Sequence, residues 1–250
     1  SHSRFTGELQ KYVSLDSVDY EAWKEHPEEL KRYLDSLSSI EESEYKTFSK
    51  NEKKAIWLNA YNALTIYLVL QNYPIKGEKN YYPADSIRQL DGFWEEHKIT
   101  IGGKTATLAQ IEHNVLRRDL HDPRTHFAVV PAARGGATID RVAFKPTGLD
   151  IALGRKTREY LGSSNNVRID ASTGIVYVTQ LFRWFPIDFA KSVGLERKFP
   201  PPTDDEIIVA YLKKYGPNCL GEKLKSIKKE NLKVVYEPFD WSLNDLCTVK

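Results

Sequence analysis

The chain has 250 residues, which is enough for one large domain or two small ones. Hydrophobic residues make up 41% of it and charged residues 28%, as in an ordinary globular protein. Its 36 basic and 34 acidic residues leave a net charge of +2, so charge gives no reason to expect a nucleic-acid or membrane-surface partner.

The first strong pattern is an amphipathic helix over Glu29–Leu37. Its apolar side chains recur at helical spacing, at Leu30, Tyr33, Leu34 and Leu37. Pro27 is compatible with the first turn, because the N–H that proline lacks would have no partner there. This pattern predicts a surface helix with one buried face.

The stretch Ser49–Pro74 predicts a long central helix around which the chain is organised. Ser49 and Glu52 form a capping box at its start, and the residue before Pro74 is pushed out of helical geometry. Apolar residues occur on every side, so the helix is expected to be buried. The run Ala55–Leu70 is shorter than a membrane span and contains two asparagines, so we do not expect it to cross a membrane.

Asn59 and Asn62 interrupt the apolar character of this helix. They are three positions apart and share a face with Ile66. A buried amide without partners costs about 1–3 kcal/mol, so each asparagine must be hydrogen-bonded. Two alternatives remain open: they hold a neighbouring loop, or they line a pocket.

Thr107 begins a further helix, which carries the adjacent pair Glu112 and His113. Together with His126, this pair offers a carboxylate and two imidazoles for general acid–base chemistry. Neighbouring residues on a helix point in different directions, so the pair is not expected to face one site. The alternative is structural: His113 packs or caps, and Glu112 forms an ion pair with a following arginine.

A short apolar run, His126–Val130, predicts a buried strand. The loop after it, Ala132–Thr138, contains two glycines and Arg134. Backbone N–H groups of such a loop can bind an anion, and the arginine can clamp a carboxylate or phosphate. Three alternatives remain for Arg134: an anion site, an internal bridge to an acidic side chain such as Glu112, or an exposed arginine.

The remaining elements complete an α+β fold, a mainly helical body around the buried central helix with a small, mostly antiparallel sheet. The strands of that sheet are expected at Ile99–Ile101, His126–Val130, Val167–Asp170, Ile175–Thr179 and Leu232–Tyr236. Further helices are expected from Asp150 to Leu161, from Leu181 to Val193 with a kink at Pro186, and from Thr203 to Tyr215. We expect a single domain over 1–250, with a helical part at 1–95, a sheet and site region at 96–200, and a final helix and strand at 203–250.

No metal or other cofactor is expected, because the sequence has neither an HExxH nor a CxxC pattern. The two cysteines, Cys219 and Cys247, are too few to indicate a compartment. The start Ser1-His2-Ser3 and the absence of methionine are consistent with removal of an upstream segment, which would erase an export signal. The compartment is therefore left open, with export as one alternative.

Six segments resemble motifs of the family known as domain of unknown function 547 (DUF547), in the family's order and across nearly the whole chain. They are VDYEAW, IWLNAYNALTIYLVLQNYP, IEHNVLR, DPRTHFAVV, LFRWFPIDFA and FDWSLND. The sequence is therefore identified as a member of this family, whose name implies no reaction. The resemblance places Asn59, Asn62, Glu112, His113 and His126 on family motifs, which favours one shared pocket.

The chain departs from the family after the HFA segment. Relatives commonly carry two cysteines there, and the resemblance puts Pro131 and Gly136 at those positions. A cysteine near the family's histidines would be expected to support papain-like or transglutaminase-like thiol chemistry. Proline and glycine have no side chain that can act as nucleophile, acid or ligand, so we predict no thiol-dependent activity here.

Two functional hypotheses follow. The first is a hydrolase- or transferase-like cleft without its thiol nucleophile, which still binds a small polar or anionic ligand. The second is a non-catalytic structural or protein-interaction domain. The candidate pocket of the first hypothesis comprises Asn59, Asn62, Glu112, His113, His126 and Arg134.

Overall fold

The structure is a computed structural model that describes residues 1–248. The chain forms two compact units: one contains Ser1–His121, Ala128–Ala152 and Asp240–Lys250, and the other contains Asp122–Phe127 and Leu153–Phe239. Helices hold 51% of the residues and strands 12%, so the predicted α+β class is confirmed. The single domain with its three expected parts stays a prediction.

The first unit consists mainly of helices around one long central helix. Its helices are α1 (Ser3–Tyr12), α2 (Tyr20–Lys24), α3 (Glu28–Ser38), α4 (Glu42–Thr47), α5 (Lys50–Asn72) and the short α6 (Leu108–Gln110), with 3₁₀ turns at Ile87–Gln89 and Leu246–Thr248. Two antiparallel ribbons accompany them, β1 (Val13–Ser14) with β2 (Ser17–Val18) and β3 (Lys98–Ile101) with β4 (Lys104–Thr107). The predicted helix at Glu29–Leu37 is therefore confirmed as α3.

The central helix α5 forms as the sequence predicts. Ser49 Oγ accepts the N–H of Glu52, and the Glu52 carboxylate accepts the N–H of Ser49, which completes the capping box. Helical geometry ends before Tyr73, whose backbone is extended next to Pro74. Most side chains between these ends are buried on all sides of the helix. None of the described helices is long and apolar enough to span a membrane.

The helix that carries Glu112 and His113 changes its geometry after its first turn. Thr107 and Gln110 form the predicted capping box of α6, and a π-helix over Ile111–Asp119 follows directly. Leu120 N–H donates to Val115 O, five residues back, as π-helical geometry requires. π-Helical turns are rare in proteins, and those that occur are frequently found at functional sites.

The second unit packs helices against one three-stranded sheet. Its elements are a 3₁₀ turn at Pro123–Phe127, most of α7 (Leu149–Gly162), β5 (Val167–Asp170), β6 (Ile175–Thr179), α8 (Leu181–Trp184), α9 (Pro186–Ser192), α10 (Asp204–Tyr215), α11 (Asn218–Ser226), a 3₁₀ turn at Lys229–Asn231 and β7 (Lys233–Glu237). β5 pairs antiparallel with β6, and β6 pairs parallel with β7. The expected kink at Pro186 is a full break, since the backbone of Phe185 leaves helical geometry between α8 and α9.

Two expectations about the sheet were wrong. The strands belong to three separate small sheets, so Ile99–Ile101 lies in its own ribbon. The expected strand His126–Val130 is also absent: its start lies in the Pro123–Phe127 turn and its end is irregular. The physical reason is that the side chain of Asn62 takes the Ala128 carbonyl and the Val130 N–H, which a neighbouring strand would otherwise pair.

Candidate functional site

Asn62 holds the backbone of an adjacent loop with both ends of its side-chain amide. Its Nδ2 donates to Ala128 O at 3.0 Å, and its Oδ1 accepts the N–H of Val130 at 2.8 Å. Asn62 is only 3% exposed, so these bonds replace bonds to water. The amide thus fixes the segment that leads into the Ala132–Thr138 loop.

Asn59, one turn earlier on α5, holds a second segment in the same way. Its Nδ2 donates to Phe144 O, and its Oδ1 accepts the N–H of Phe144, both at 2.9 Å. Both amides thus hold a neighbouring segment, which is the first of the two alternatives that the sequence leaves open. We expect from the sequence that the partner is the loop after Val130 or the helix with His113, whereas Asn59 holds Phe144.

Pro131 and Gly136 are neighbours in space as well as in the loop. A Cβ atom at position 136 would lie 2.6 Å from both Cγ and Cδ of Pro131, far inside normal contact distance. Gly136 therefore has no room for a side chain while residue 131 is proline. The two positions that the family resemblance aligns with cysteines thus depend on each other in this chain.

The backbone N–H groups of residues 134–136 already have acceptors. In order, they donate to the carbonyl oxygens of Ser242, Asp240 and Ala133, at 2.9, 2.8 and 3.0 Å. A loop that binds an anion needs N–H groups that point at the ligand without another acceptor. This arrangement argues against the expected anion cradle in the loop.

The side chain of Arg134 is tied to the C-terminal segment of the same unit. Its Nη2 donates to the backbone carbonyl of Asp245 at 3.0 Å, although the residue as a whole is exposed. Among the three alternatives for Arg134, this contact favours an internal bridge. This contact reaches a backbone carbonyl, and an ion pair with an acidic side chain such as Glu112 stays a prediction.

Glu112 is half-buried near Tyr61 of the central helix. Burial raises the pKa of the Tyr61 hydroxyl well above its usual range, the negative charge of Glu112 raises it further, and a hydrogen bond from Trp94 has the opposite effect. Tyr61 therefore stays neutral at physiological pH. Its position links the family's central helix to the π-helix that carries Glu112.

His113 points elsewhere, as expected for the neighbour of Glu112. It is exposed, and its Nδ1 lies 3.0 Å from Arg117 Nη1. Arginine can only donate, so His113 Nδ1 is the acceptor of this hydrogen bond. The pair lies on the surface of the π-helix.

His126 forms a buried pair with an aspartate that sequence reasoning missed. His126 Nε2 donates to Asp188 Oδ2 at 2.8 Å, and the imidazole stacks on Phe185 at 4.1 Å between ring centroids. His126 is 2% exposed, while Asp188 lies in the first turn of α9 and is better exposed. The signal was one acidic residue inside the otherwise apolar motif WFPIDFA.

Two tyrosines on family motifs bind the C-terminal motif FDWSLND. Tyr20 donates to Asn244 Oδ1 at 2.7 Å, and Tyr73 donates to Asp245 Oδ2 at 2.8 Å. Burial, followed by the bond to Asp245, raises the pKa of Tyr73 above its ordinary value. The sequence motifs that begin and end the chain thus meet in the first unit, which spacing alone did not predict.

Neither cysteine has the surroundings of an activated nucleophile. Cys219 and Cys247 are free and exposed. Partial desolvation raises the pKa of the Cys247 thiol, and the carboxylates of Asp245 and Glu21 raise it further. Within the described part of the chain, no three His, Cys, Asp or Glu side chains are placed to hold a metal ion.

The first unit also contains an open cavity of about 970 Å³. Helices α1, α3, α4 and α5 contribute to its walls, with Leu37, Ile40, Phe48 and Ile56 as apolar lining and Arg4, Glu29, Glu44 and Glu52 as charged lining. None of the six candidate pocket residues lines it. Five of those six residues belong to the first unit and His126 to the second, so a single pocket stays a prediction.

Comparison with known protein families finds a match over just under half of the chain. The sequence model of the family described as "Protein of unknown function, DUF547" matches residues 45–161. That range contains all six candidate residues as well as Pro131 and Gly136. No curated protein and no solved structure matches the chain.

Proposed function

We propose that the chain, of which residues 45–161 match the DUF547 family model, acts as a non-catalytic structural or protein-interaction domain. The observation that carries the proposal is the use of Asn59 and Asn62. Each amide gives both its nitrogen and its oxygen to backbone groups of the fold. Side chains used in this way stabilise a loop arrangement and have little capacity left for a ligand.

The surroundings of the thiols support the same proposal. Position 136 cannot carry a side chain next to the ring of Pro131. Cys247 lies beside carboxylates, which favour the thiol over the nucleophilic thiolate. A thiol mechanism would need a thiolate close to a histidine that can accept a proton.

The pair His126–Asp188 is the arrangement most similar to an acid–base catalyst. A carboxylate that holds an imidazole is typical of catalytic triads. Here the imidazole is 2% exposed and stacked on Phe185, so a substrate atom cannot reach it in this conformation. We therefore assign the pair a structural role within the second unit.

The competing hypothesis is a pocket that binds a small anion with Arg134. The test is calorimetric titration of the parent and of Arg134→Ala with phosphate, sulfate and succinate. We expect no binding by the parent, and lower stability of the variant because the Asp245 carbonyl loses its donor. Binding by the parent that the variant loses would favour the pocket.

The non-catalytic assignment is tested by turnover. Ester, amide and glutaminyl-peptide substrates are incubated with the parent, with His126→Ala and with Cys219→Ser/Cys247→Ser. We expect rates equal to those in buffer for all three proteins. Turnover by the parent that iodoacetamide or either variant abolishes would overturn the proposal.

A further inference from the structure

Three aromatic rings in the first unit surround the guanidinium group of Arg88. Arg88 Cζ lies 5.0 Å from the ring centroid of Tyr82, 5.3 Å from that of Trp94 and 4.9 Å from that of Trp241. We call the three rings the aromatic box. The ring of Trp241 is nearly perpendicular to the other two, at 77° to Tyr82 and 81° to Trp94.

Such an arrangement attracts cations more strongly than a single ring does. Each ring face carries negative partial charge, and perpendicular walls direct several faces at one point. The four side chains are half-buried, so the cation is partly removed from water while the box stays close to the surface. Aromatic boxes of this kind recognise quaternary ammonium and methylated ammonium groups.

The box does not satisfy all hydrogen-bonding groups of the Arg88 side chain. Its Nη2 donates to the Tyr82 hydroxyl at 2.9 Å. Its Nε, however, is buried and has no hydrogen-bond acceptor among the described residues. A buried donor without an acceptor has lost its hydrogen bond to water and gained none in exchange. The guanidinium group of Arg88 is therefore destabilised by desolvation at this position.

The walls of the box are held by contacts that do not involve the Arg88 side chain. The Tyr82 loop is held by Gln89, whose Nε2 donates to the carbonyls of Lys79 and Tyr82. Trp94 O accepts the N–H of Ala109 at 3.0 Å. These bonds should keep both walls in place when Arg88 is shortened.

Trp241 is held in the same independent way. Its neighbours Asp240 and Ser242 accept the backbone N–H groups of Gly135 and Arg134 at 2.8 and 2.9 Å.

We propose that the aromatic box is a binding site for small organic cations, of the guanidinium or methylated ammonium class, which Arg88 occupies from within the chain. Removal of the Arg88 side chain vacates the box for an external cation. In the parent, the tethered guanidinium competes at a high effective concentration, so external cations bind more weakly. The proposal does not depend on the non-catalytic assignment above.

The test is a titration of Arg88→Ala and the parent with tetramethylammonium and methylguanidinium chloride at constant ionic strength. Tryptophan fluorescence and the melting temperature are recorded. We expect saturable quenching and a higher melting temperature in the variant, with at least about tenfold weaker binding to the parent. tert-Butanol, a neutral molecule of similar size to tetramethylammonium, should have no saturable effect.

Two variants serve as controls. Arg168→Ala removes an exposed arginine that lies 3.8 Å over a single ring, that of Tyr177, and it should create no response. Arg88→Ala/Trp241→Ala removes one wall of the box and should abolish the response of the single variant. Equal responses in the single variant and in either control would overturn the proposal, because the effect would then not come from the box.

A flat titration of a folded Arg88→Ala variant would also overturn it. If that variant does not fold, Arg88→Met keeps an unbranched apolar stem without the guanidinium group, and the same titration applies. If neither variant folds alone, refolding is repeated with methylguanidinium. Recovery of the native circular dichroism spectrum would support the site, and its absence would count against it.

Discussion

Asp188 accepts a hydrogen bond from the imidazole of His126, with 2.8 Å between Oδ2 and Nε2. The two residues are 62 positions apart in sequence. The stack on Phe185 fixes the plane of the ring. Position and plane of the imidazole are thus both set by the short stretch from Phe185 to Asp188. The histidine and this stretch behave as one structural element of the second unit.

We therefore predict that Asp188→Ala lowers the free energy of unfolding by about 1–3 kcal/mol, because a buried N–H of His126 loses its acceptor. Urea denaturation followed by circular dichroism measures the change. Glu222→Ala is the matched control: it removes an acid from an exposed pair with Lys225, and its effect should stay within about 0.5 kcal/mol. Equal effects of the two substitutions would contradict a structural role for the buried pair.

A second prediction concerns Asn59 and Asn62, which we call the asparagine clamps because each amide holds a neighbouring backbone segment at both its nitrogen and its oxygen. Asn59→Leu and Asn62→Leu should each destabilise the protein by about 1–3 kcal/mol, because backbone groups at Phe144 or at Ala128 and Val130 are left buried without partners. Chemical denaturation measures both variants.

Asn72→Ala is the control for the clamps. Asn72 is an exposed residue that bonds only the Leu68 carbonyl of its own helix, so we expect a change of no more than about 0.5 kcal/mol. Denaturation midpoints of the two leucine variants that coincide with that of the parent would refute the clamp interpretation.

The contact between Pro131 and Gly136 leads to a double-mutant cycle. Gly136→Ala should destabilise by about 1–3 kcal/mol, since its methyl group would overlap the proline ring. Pro131→Ala/Gly136→Ala should recover part of that loss, and the coupling energy measures the contact. Gly7→Ala, in helix α1 with open space around it, should instead stabilise by about 0.5–1 kcal/mol.

Asp170 provides a prediction about pH. Its carboxylate accepts hydrogen bonds from the hydroxyl and N–H of Ser172 and from the N–H of Thr173. The Ser172 hydroxyl, followed by the Thr173 side chain and the backbone N–H groups, lowers the pKa of Asp170 from 3.8 to about 2. The depressed pKa stabilises the β5–β6 turn above pH 3.8, and this contribution is lost as pH falls toward 2.

Carboxyl chemical shifts from NMR measure the titration of Asp170. In Ser172→Ala the midpoint should move up toward the ordinary value, because the leading bond to the hydroxyl is gone. A midpoint that stays near 2 in this variant would contradict the leading role of the Ser172 hydroxyl.

Local signals in the sequence predicted much of the fold. The capping boxes of α5, α6 and α10 depend on residues three positions apart, and all three are present. The strands Val167–Asp170 and Ile175–Thr179 have their predicted bounds because alternation and a turn are local properties. The strand at His126–Val130 failed because its backbone partner is a side chain 66 and 68 positions away.

The candidate site was harder to predict for the same reason. Glu112 and His113 are adjacent in sequence, yet one is half-buried beside Tyr61 and the other is exposed beside Arg117. The role of Asp188 follows from its contact with His126, and a contact between residues 62 positions apart is not visible in the sequence. The aromatic box joins Tyr82 and Trp94, which belong to one stretch of the chain, with the distant Trp241, and no spacing rule connects them.

The overlap between Pro131 and a side chain at position 136 also affects the order in which mutations at these two positions are tolerated. A codon change that adds any side chain at 136 meets the proline ring first, so it is penalised while Pro131 remains. A change at 131 carries no such penalty from Gly136. The order of mutations with the lower stability cost therefore replaces Pro131 before it adds a side chain at 136.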